Sequence, residues 1–347
     1  MPSITDTTDM PTKILLIGKS GAGKTGALAS LVTAGYRLRI IDTDNGSRIL
    51  RSLLTDPHYP YAKLIAEKNI NLAEAVHYVP VDTEMKMRTV TRKMPGENRS
   101  TSEKLLAPAN ANAWPKVLGL LDEWKDGDYV NLGPVTSWGA QDVLVVDSFS
   151  TLAKCVYYFS QMMNGRLGAR DSGYDYQRDV GEAQSQLTRL LELLYASSIK
   201  CNVIVISHIT WVDESRGVAS RPREANGDGS ISLSEPDGYP SAIGRALSPQ
   251  MGKYFNDTFI VRSSGSGSAV QRAISTVPQD GVIAKNSVYL ERDYPVTFGL
   301  AAIFAAMRFQ ELDPALAAAF AQRQRPSASA PALAPRLETR SPAASPA

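Results

Sequence analysis

The sequence predicts an α/β fold with a mainly parallel central sheet flanked by helices. Three observations predict it. Short, unbroken apolar runs recur at strand length: KILLI at 13–17, VLVV at 143–146 and VIVI at 203–206. Such runs fit strands whose two faces are both covered, as in parallel sheets. The first run passes through a glycine loop into a helix-compatible stretch from Lys24 to Ala34, and a second strand, Leu38 to Ile41, ends at Asp42. Strand, loop, helix and strand make a βαβ unit. The composition, 43% hydrophobic and 21% charged, is that of a chain with a packed core.

The remaining elements follow in order. VHYVPV at 76–81 reads as a strand. Residues 86–104 hold six Lys/Arg and two Asp/Glu around Pro95 and Gly96, and read as an exposed loop or insertion. Trp114 to Lys125 reads as an amphipathic helix with Trp114, Val117, Leu118, Leu121 and Trp124 on one face and Pro115 in its first turn. Asp142 to Asp147 is a buried strand. A second amphipathic helix spans 180–195, with Val180, Ala183, Leu187, Leu190, Leu191 and Leu194 on its stripe, and leads into the strand Val203 to Ser207. Residues 213–253 read as a long loop, of the functional or mobile kind. Strands then resume at Asp257–Arg262, Ala269–Thr276 and Gly281–Leu290, before a helical region from Phe298 to Ala321. The tail 326–347, with five Pro, seven Ala and four Ser, has too little apolar surface to order itself. The expected organisation is a loose N-terminus at 1–11, one domain at 12–321 with insertions near 86–113 and 211–250, and a disordered tail at 322–347.

Charge excludes little. Lys+Arg is 37 against Asp+Glu 35, so a basic surface would have to be local. Cys155 and Cys201 lack metal-ligand spacing and read as buried thiols of a reducing compartment. The start has no basic segment followed by an apolar run, and no stretch is long enough to span a bilayer. A cytoplasmic protein is therefore expected.

The chemistry is concentrated in a few positions. Gly18, Lys19, Ser20, Gly21, Ala22, Gly23, Lys24 and Thr25 match G-x-x-x-x-G-K-[ST] in full, and Gly26 continues into the helix. Glycines let such a loop wrap a phosphate chain with its N–H groups inward, and the helix N-terminus adds positive potential. In this reading ATP binds at the loop, Lys24 reaches its phosphates and the Thr25 hydroxyl ligates Mg2+. Asp147 ends a parallel strand at the ligand edge of the sheet, where it either directs the metal or caps the next helix. Asp44 is placed to polarise an attacking water, with Asp42 as an orienting or structural partner; the alternative is a pair of turn aspartates before Asn45-Gly46. Ser207 and His208 end the fourth strand, as γ-phosphate contacts or as packed strand-end residues. His58 and His77 stand alone, which argues against a histidine metal site.

The order of these motifs, GKSGAGKT, IIDTD, VLVVDS, VIVISH and then AKN, resembles the RecA-like P-loop ATPases. Asp44 falls where that family has its catalytic glutamate. Ser207-His208 falls at its polar sensor. Ala284-Lys285-Asn286 resembles the motif whose lysine enters the neighbouring subunit's ATP site, with Ser287 in place of a following basic residue. GYPSAIGRALSPQMGKYFNDTFIV and RAISTVPQDGVIAKN are most similar to the phage-encoded members associated with single-strand annealing and recombination. The resemblance spans roughly 12–300.

The resemblance implies an Mg2+-dependent ATPase that forms homo-oligomers, in a host cytoplasm if phage-encoded, and acts on single-stranded DNA. It places DNA near 155–178 and 211–250. The first holds Tyr157, Tyr158, Phe159, Tyr174 and Tyr176 with Arg166, Arg170 and Arg178; the second holds Trp211, Arg216, Arg221, Arg223 and Arg245. Aromatics stack on bases and arginines track phosphates, but core packing and nearby carboxylates such as Asp171, Asp175 and Asp179 are the alternative. The basic stretch 86–104 is a third DNA candidate. Two rival classes remain: a nucleotide-dependent switch or loader docking a protein partner, with the C-terminal tail as a second protein contact, and a small-molecule kinase.

Overall fold

The computed structural model describes residues 10–93, 100–126, 130–167, 173–212, 237–265 and 270–324. The expectations for 1–9, for 94–99, for Arg170 and Asp171, for Arg216, Arg221 and Arg223, and for the tail from 325 lie outside the described residues, as do the side chains of Tyr174 and Arg245.

The chain begins with β1 (Lys13–Gly18), α1 (Lys24–Ala27), α2 (Ala29–Thr33) and β2 (Arg37–Asp42). Leu28, between the two helices, keeps helical dihedrals, so they form one helical run. Next come α3 (Ser47–Thr55), α4 (Pro60–Glu67), α5 (Leu72–Ala75) and β3 (Val76–Pro80). A hairpin follows, β4 (Met85–Lys93) with β5 (Ser100–Pro108), then α6 (Ala113–Asp122) and the short pair β6 (Trp124–Asp126) and β7 (Val130–Gly133). The second half holds β8 (Asp142–Asp147), α7 (Phe149–Met163), α8 (Gly173–Tyr195), β9 (Asn202–Ser207), β10 (Ile209–Val212), β11 (Asp237–Pro240) and α9 (Gly244–Leu247). It closes with β12 (Asp257–Ser264), β13 (Gln271–Ser275), β14 (Asp293–Pro295), α10 (Val296–Met307) and α11 (Pro314–Gln324).

Eight strands form one sheet in the order β14-β13-β12-β1-β9-β8-β2-β3. Every pairing from β12 to β3 is parallel, and β13 and β14 are antiparallel. This is the mainly parallel α/β sheet the apolar runs predicted. Alternate residues of β1 feed two cores. Leu15 and Ile17 pack with α6, α7 and α8; Ile14 and Leu16 pack with α1, α2 and α10. All four are fully buried. Each such side chain contributes roughly 1.5–3 kcal/mol of transfer free energy. The C-terminal ends of β1, β2, β8 and β9 lie side by side, and every functional residue proposed from the motifs, Lys285 excepted, sits at or just beyond those ends.

Five expectations need correction. The described parts of the basic stretch, 86–93 and 100–104, lie in two regularly paired antiparallel strands, with nine paired positions from Met85↔Pro108 to Lys93↔Ser100, rather than in a loop. These strands interleave charged and polar residues, so they show no apolar alternation. Residues 281–290 are not a strand. Asp280 and Gly281 both have positive φ, and the segment pairs only at isolated bridges such as Thr258↔Lys285. On α6, Leu118 is 42% exposed and Leu120 takes the buried place instead. Trp124 is buried but belongs to β6, because the helix stops at Asp122. Within 213–253, the described part is ordered into β11, α9 and a 3-10 turn at Ser248–Tyr254.

Candidate functional site

The loop from Gly18 to Thr25 joins β1 to α1. Gly23 has φ +102, a conformation that disfavours any side chain. Lys24 is buried, and its Nζ donates to the carbonyls of Gly18 and Lys19, both at 2.9 Å. Burial lowers the lysine to about 8, against the pull of Asp147 and Asp44, which favour its charge. Lys19, Ser20 and Gly21 are exposed at the loop tip, while Ala22 and Gly26 are buried.

Asp147 ends β8 and is 3% exposed. Thr25 Oγ1 donates to its Oδ2 at 2.6 Å. Burial pushes the Asp147 carboxyl up to about 6, and the bond from Thr25 works against that rise. Ser148, not Asp147, caps α7: its side chain accepts from the Thr151 N–H. The carboxylate is therefore not engaged as a cap. Gly46 comes close to this pair, and a Cβ there would lie 3.2 Å from Thr25 Oγ1 and 3.3 Å from Asp147 Oδ2. One hydroxyl and one carboxylate suit Mg2+, which takes one or two protein oxygens and completes its octahedron with phosphate oxygens and water. Among the described residues no group of three or more His, Cys, Asp or Glu could hold a metal.

A chain of polar contacts crosses the sheet end. Lys24 Nζ lies 3.3 Å from His208 Nδ1, and His208 Nε2 lies 3.2 Å from Asp44 Oδ2. Thr151 Oγ1, on the first turn of α7, donates to Asp44 Oδ1. One tautomer satisfies the whole chain: Nε2–H donates to Asp44 while Nδ1 accepts from the lysine. Burial raises the Asp44 carboxyl, but the bonds from His208 and Thr151 outweigh it and hold the group at about 2. A carboxylate that acidic is a weak proton acceptor and a good hydrogen-bond acceptor.

The other motif residues are placed differently. Asp42 Oδ1 accepts from the N–H groups of Asp44 and Gly46, and its Oδ2 from that of Ser47, so Asp42 folds the turn that presents Asp44. Ser207 is fully buried and bonds to Ser150 Oγ and the Ser241 carbonyl. It fastens β9 to α7 and does not join the Lys24–His208–Asp44 chain. Lys285 is exposed and pairs through its backbone with Thr258. Thr258 is level with Leu15, while Val261 is level with Gly18. Three strand residues, roughly 10 Å, separate the lysine from the phosphate loop of its own chain.

Of the aromatic and basic residues near 155–178, Tyr157 is buried and Tyr158 and Phe159 pack against the core. Tyr176 is 42% exposed and meets Tyr157 edge-on. Arg166 is engaged by Asp175 and Asp179, whereas Arg178 is exposed. Trp211 packs partly against the core.

The motifs did not reveal three positions that the fold brings to this site. Thr151 could have been found as the residue one turn into a helix after Asp147. Gly46 was legible only as a turn glycine. Arg272 had no local signal: its Nε lies 3.4 Å from the Gly21 carbonyl, 251 residues away in the chain.

No family model matches the chain, and no curated protein matches it. Solved structures do. The crystal structure of the RadB recombinase is 14% identical, over 76% of this chain and 79% of that one, with a TM-score of 0.36. A KaiC-like protein, PH0186 from the hyperthermophilic archaeon Pyrococcus horikoshii OT3, is 11% identical over 83% and 92%, with a TM-score of 0.35. At these values neither likeness says what this chain binds. No helix among the described residues is long and apolar enough to cross a membrane.

Proposed function

We propose that this chain is an ATP-binding, Mg2+-dependent ATPase of the phage-encoded RecA-like kind. In this reading it acts on single-stranded DNA in recombination or annealing. The observation that carries the reading is the contact chain from Lys24 through His208 to Asp44 and Thr151. It links the phosphate-loop lysine to a water-orienting carboxylate and to the helix that leads towards the 155–178 region. ATP supplies the phosphoryl group, and Mg2+ neutralises charge on it. Gly18 to Gly26 hold the phosphates, Lys24 donates to them, and Thr25 and Asp147 hold the cation. Asp44 accepts a hydrogen bond from the attacking water. His208 trades its contact with Lys24 when the lysine turns to phosphate, which makes it the sensor in place of Ser207. Lys285 of a neighbouring copy supplies the transition-state cation that the chain's own geometry keeps away.

The test is retention of labelled single-stranded DNA at low and at moderate salt, with ATP–Mg2+ and with ADP. The reading expects ATP-favoured binding that weakens steeply with salt. Equal absence of retention in both nucleotide states would leave the nucleotide switch acting on a protein partner as the better account.

A further inference from the structure

We propose that Arg272, on β13, binds the phosphate chain of the nucleotide held by the loop of its own subunit. The sheet order brings it there: β13 pairs with β12 and β12 with β1, so Arg272 rises beside the loop that leaves β1. Its stem lies against Gly23. A Cβ on that residue would come within 2.8 Å of Arg272 Cδ, so the missing side chain is what lets the arginine lie so close. Nε then reaches the Gly21 carbonyl at 3.4 Å, which uses one of its five N–H donors.

The rest of the fork has no assigned partner. Two neighbouring arginines are spent: Arg262 pairs with Asp293 at 2.9 Å and Arg292 lies 3.9 Å from the same residue. Among the described residues no carboxylate pairs with Arg272, which is exposed. Lys19 and Lys24 stand in the loop that Arg272 touches. An anion bound at that loop would be attracted by all three positive side chains. A guanidinium with free donors beside a phosphate loop matches phosphate oxygens in the geometry it binds best.

The inference rests on the ATP-binding reading and deepens it. The experiment compares binding of ATP and of inorganic tripolyphosphate, which has neither base nor ribose. It uses the full chain as wild type and as Arg272→Ala, Arg272→Gln and Arg272→Lys, with Lys24→Ala marking the loop itself. Unchanged thermal melting shows that each variant is folded. The account expects Arg272→Ala and Arg272→Gln to weaken both ligands about tenfold, and Arg272→Lys to recover most of the loss. A merely structural bond to Gly21 would instead be rescued by glutamine. Unchanged affinity in Arg272→Ala, rescue by glutamine but not lysine, or loss of ATP binding with tripolyphosphate unaffected would each overturn the proposal. Absence of ATP binding in the wild type, or ATP affinity unmoved by Lys24→Ala, would overturn the ATP reading itself and this inference with it.

Discussion

Thr25 and Asp147, 122 residues apart in sequence, meet through a 2.6 Å hydrogen bond between hydroxyl and carboxylate. The meeting joins the end of the phosphate loop to the end of β8, two strands away in the sheet. A buried carboxylate with one hydroxyl partner is under-compensated, and its raised pKa reports that.

The Asp147 carboxyl ordinarily titrates near 3.8, and burial holds it at about 6 in the fold. The folded state therefore keeps this proton more tightly than the unfolded chain. Its stabilising contribution is complete below about 3.8 and is lost as pH rises through about 6. At roughly 1.4 kcal/mol per unit, the loss is on the order of 3 kcal/mol at most. Denaturant melts of metal-free protein should show stability falling across that window. Asp147→Asn should flatten the fall. An Asp147→Asn profile that still falls as in the wild type would show that another group titrates there.

Asp44 makes the opposite case. Its folded value of about 2 lies below the ordinary 3.8, so its contribution is complete above 3.8 and is lost only as pH falls through 2. It should stay ionised at any working pH, and hydrolysis should show no acid limb from this residue near neutrality. Asp44→Asn keeps the size and removes the charge. It should lower kcat on the order of a hundredfold while ATP affinity stays within a few-fold. Loss of affinity with kcat unchanged would assign Asp44 to binding instead.

Much of this site was legible in the chain. The parallel strands announced themselves as unbroken apolar runs because both of their faces are buried, as in β1 and β8. The loop residues were fixed by spacing, and Asp147 by its place at a strand end. What was hidden depended on partners far off in sequence. The β4–β5 hairpin is held by its own ladder and not by an apolar face, so its charges suggested a loop. Residues 281–290 alternate like a strand, and Val282 and Ala284 are indeed buried, but the turn at Asp280-Gly281 denies them a ladder. Ser207 and His208 looked equivalent as neighbours. Strand alternation sends the first towards Ser150 and Ser241, and the chain's exit from β9 leaves the second facing Lys24.

Gly46 yields a structural prediction. Its φ is −76, which alanine adopts freely, so Gly46→Ala should fold normally. The added methyl would meet Thr25 Oγ1 and Asp147 Oδ2 at 3.2 and 3.3 Å, tighter than ordinary contact. The expected result is about tenfold weaker Mg2+-dependent ATP binding, as a charged contact is forced apart, with an unchanged melting temperature. Titration of the nucleotide with and without Mg2+ separates the two effects. Equal affinity to wild type in Mg2+ would contradict a metal at this pair.

The cysteines give an inexpensive check on the core. Cys201 is fully buried and Cys155 nearly so, and burial raises both thiols, Cys201 to about 12. Neither should react with a thiol reagent in the native state at mildly alkaline pH, and both should react after unfolding. Rapid native labelling of Cys201 would show that the core opens at the start of β9.

In the proposed reading the Gly18–Thr25 loop and the Asp44–His208 pair form one ATP-hydrolysing site coupled to single-stranded DNA. The most direct test of that reading is the rate of ATP hydrolysis by the full chain in Mg2+, with and without single-stranded DNA, beside Lys24→Ala. The account predicts a slow basal rate, a severalfold rise with DNA, and neither in Lys24→Ala. A rate indifferent to DNA, or one that persists in Lys24→Ala, would contradict it.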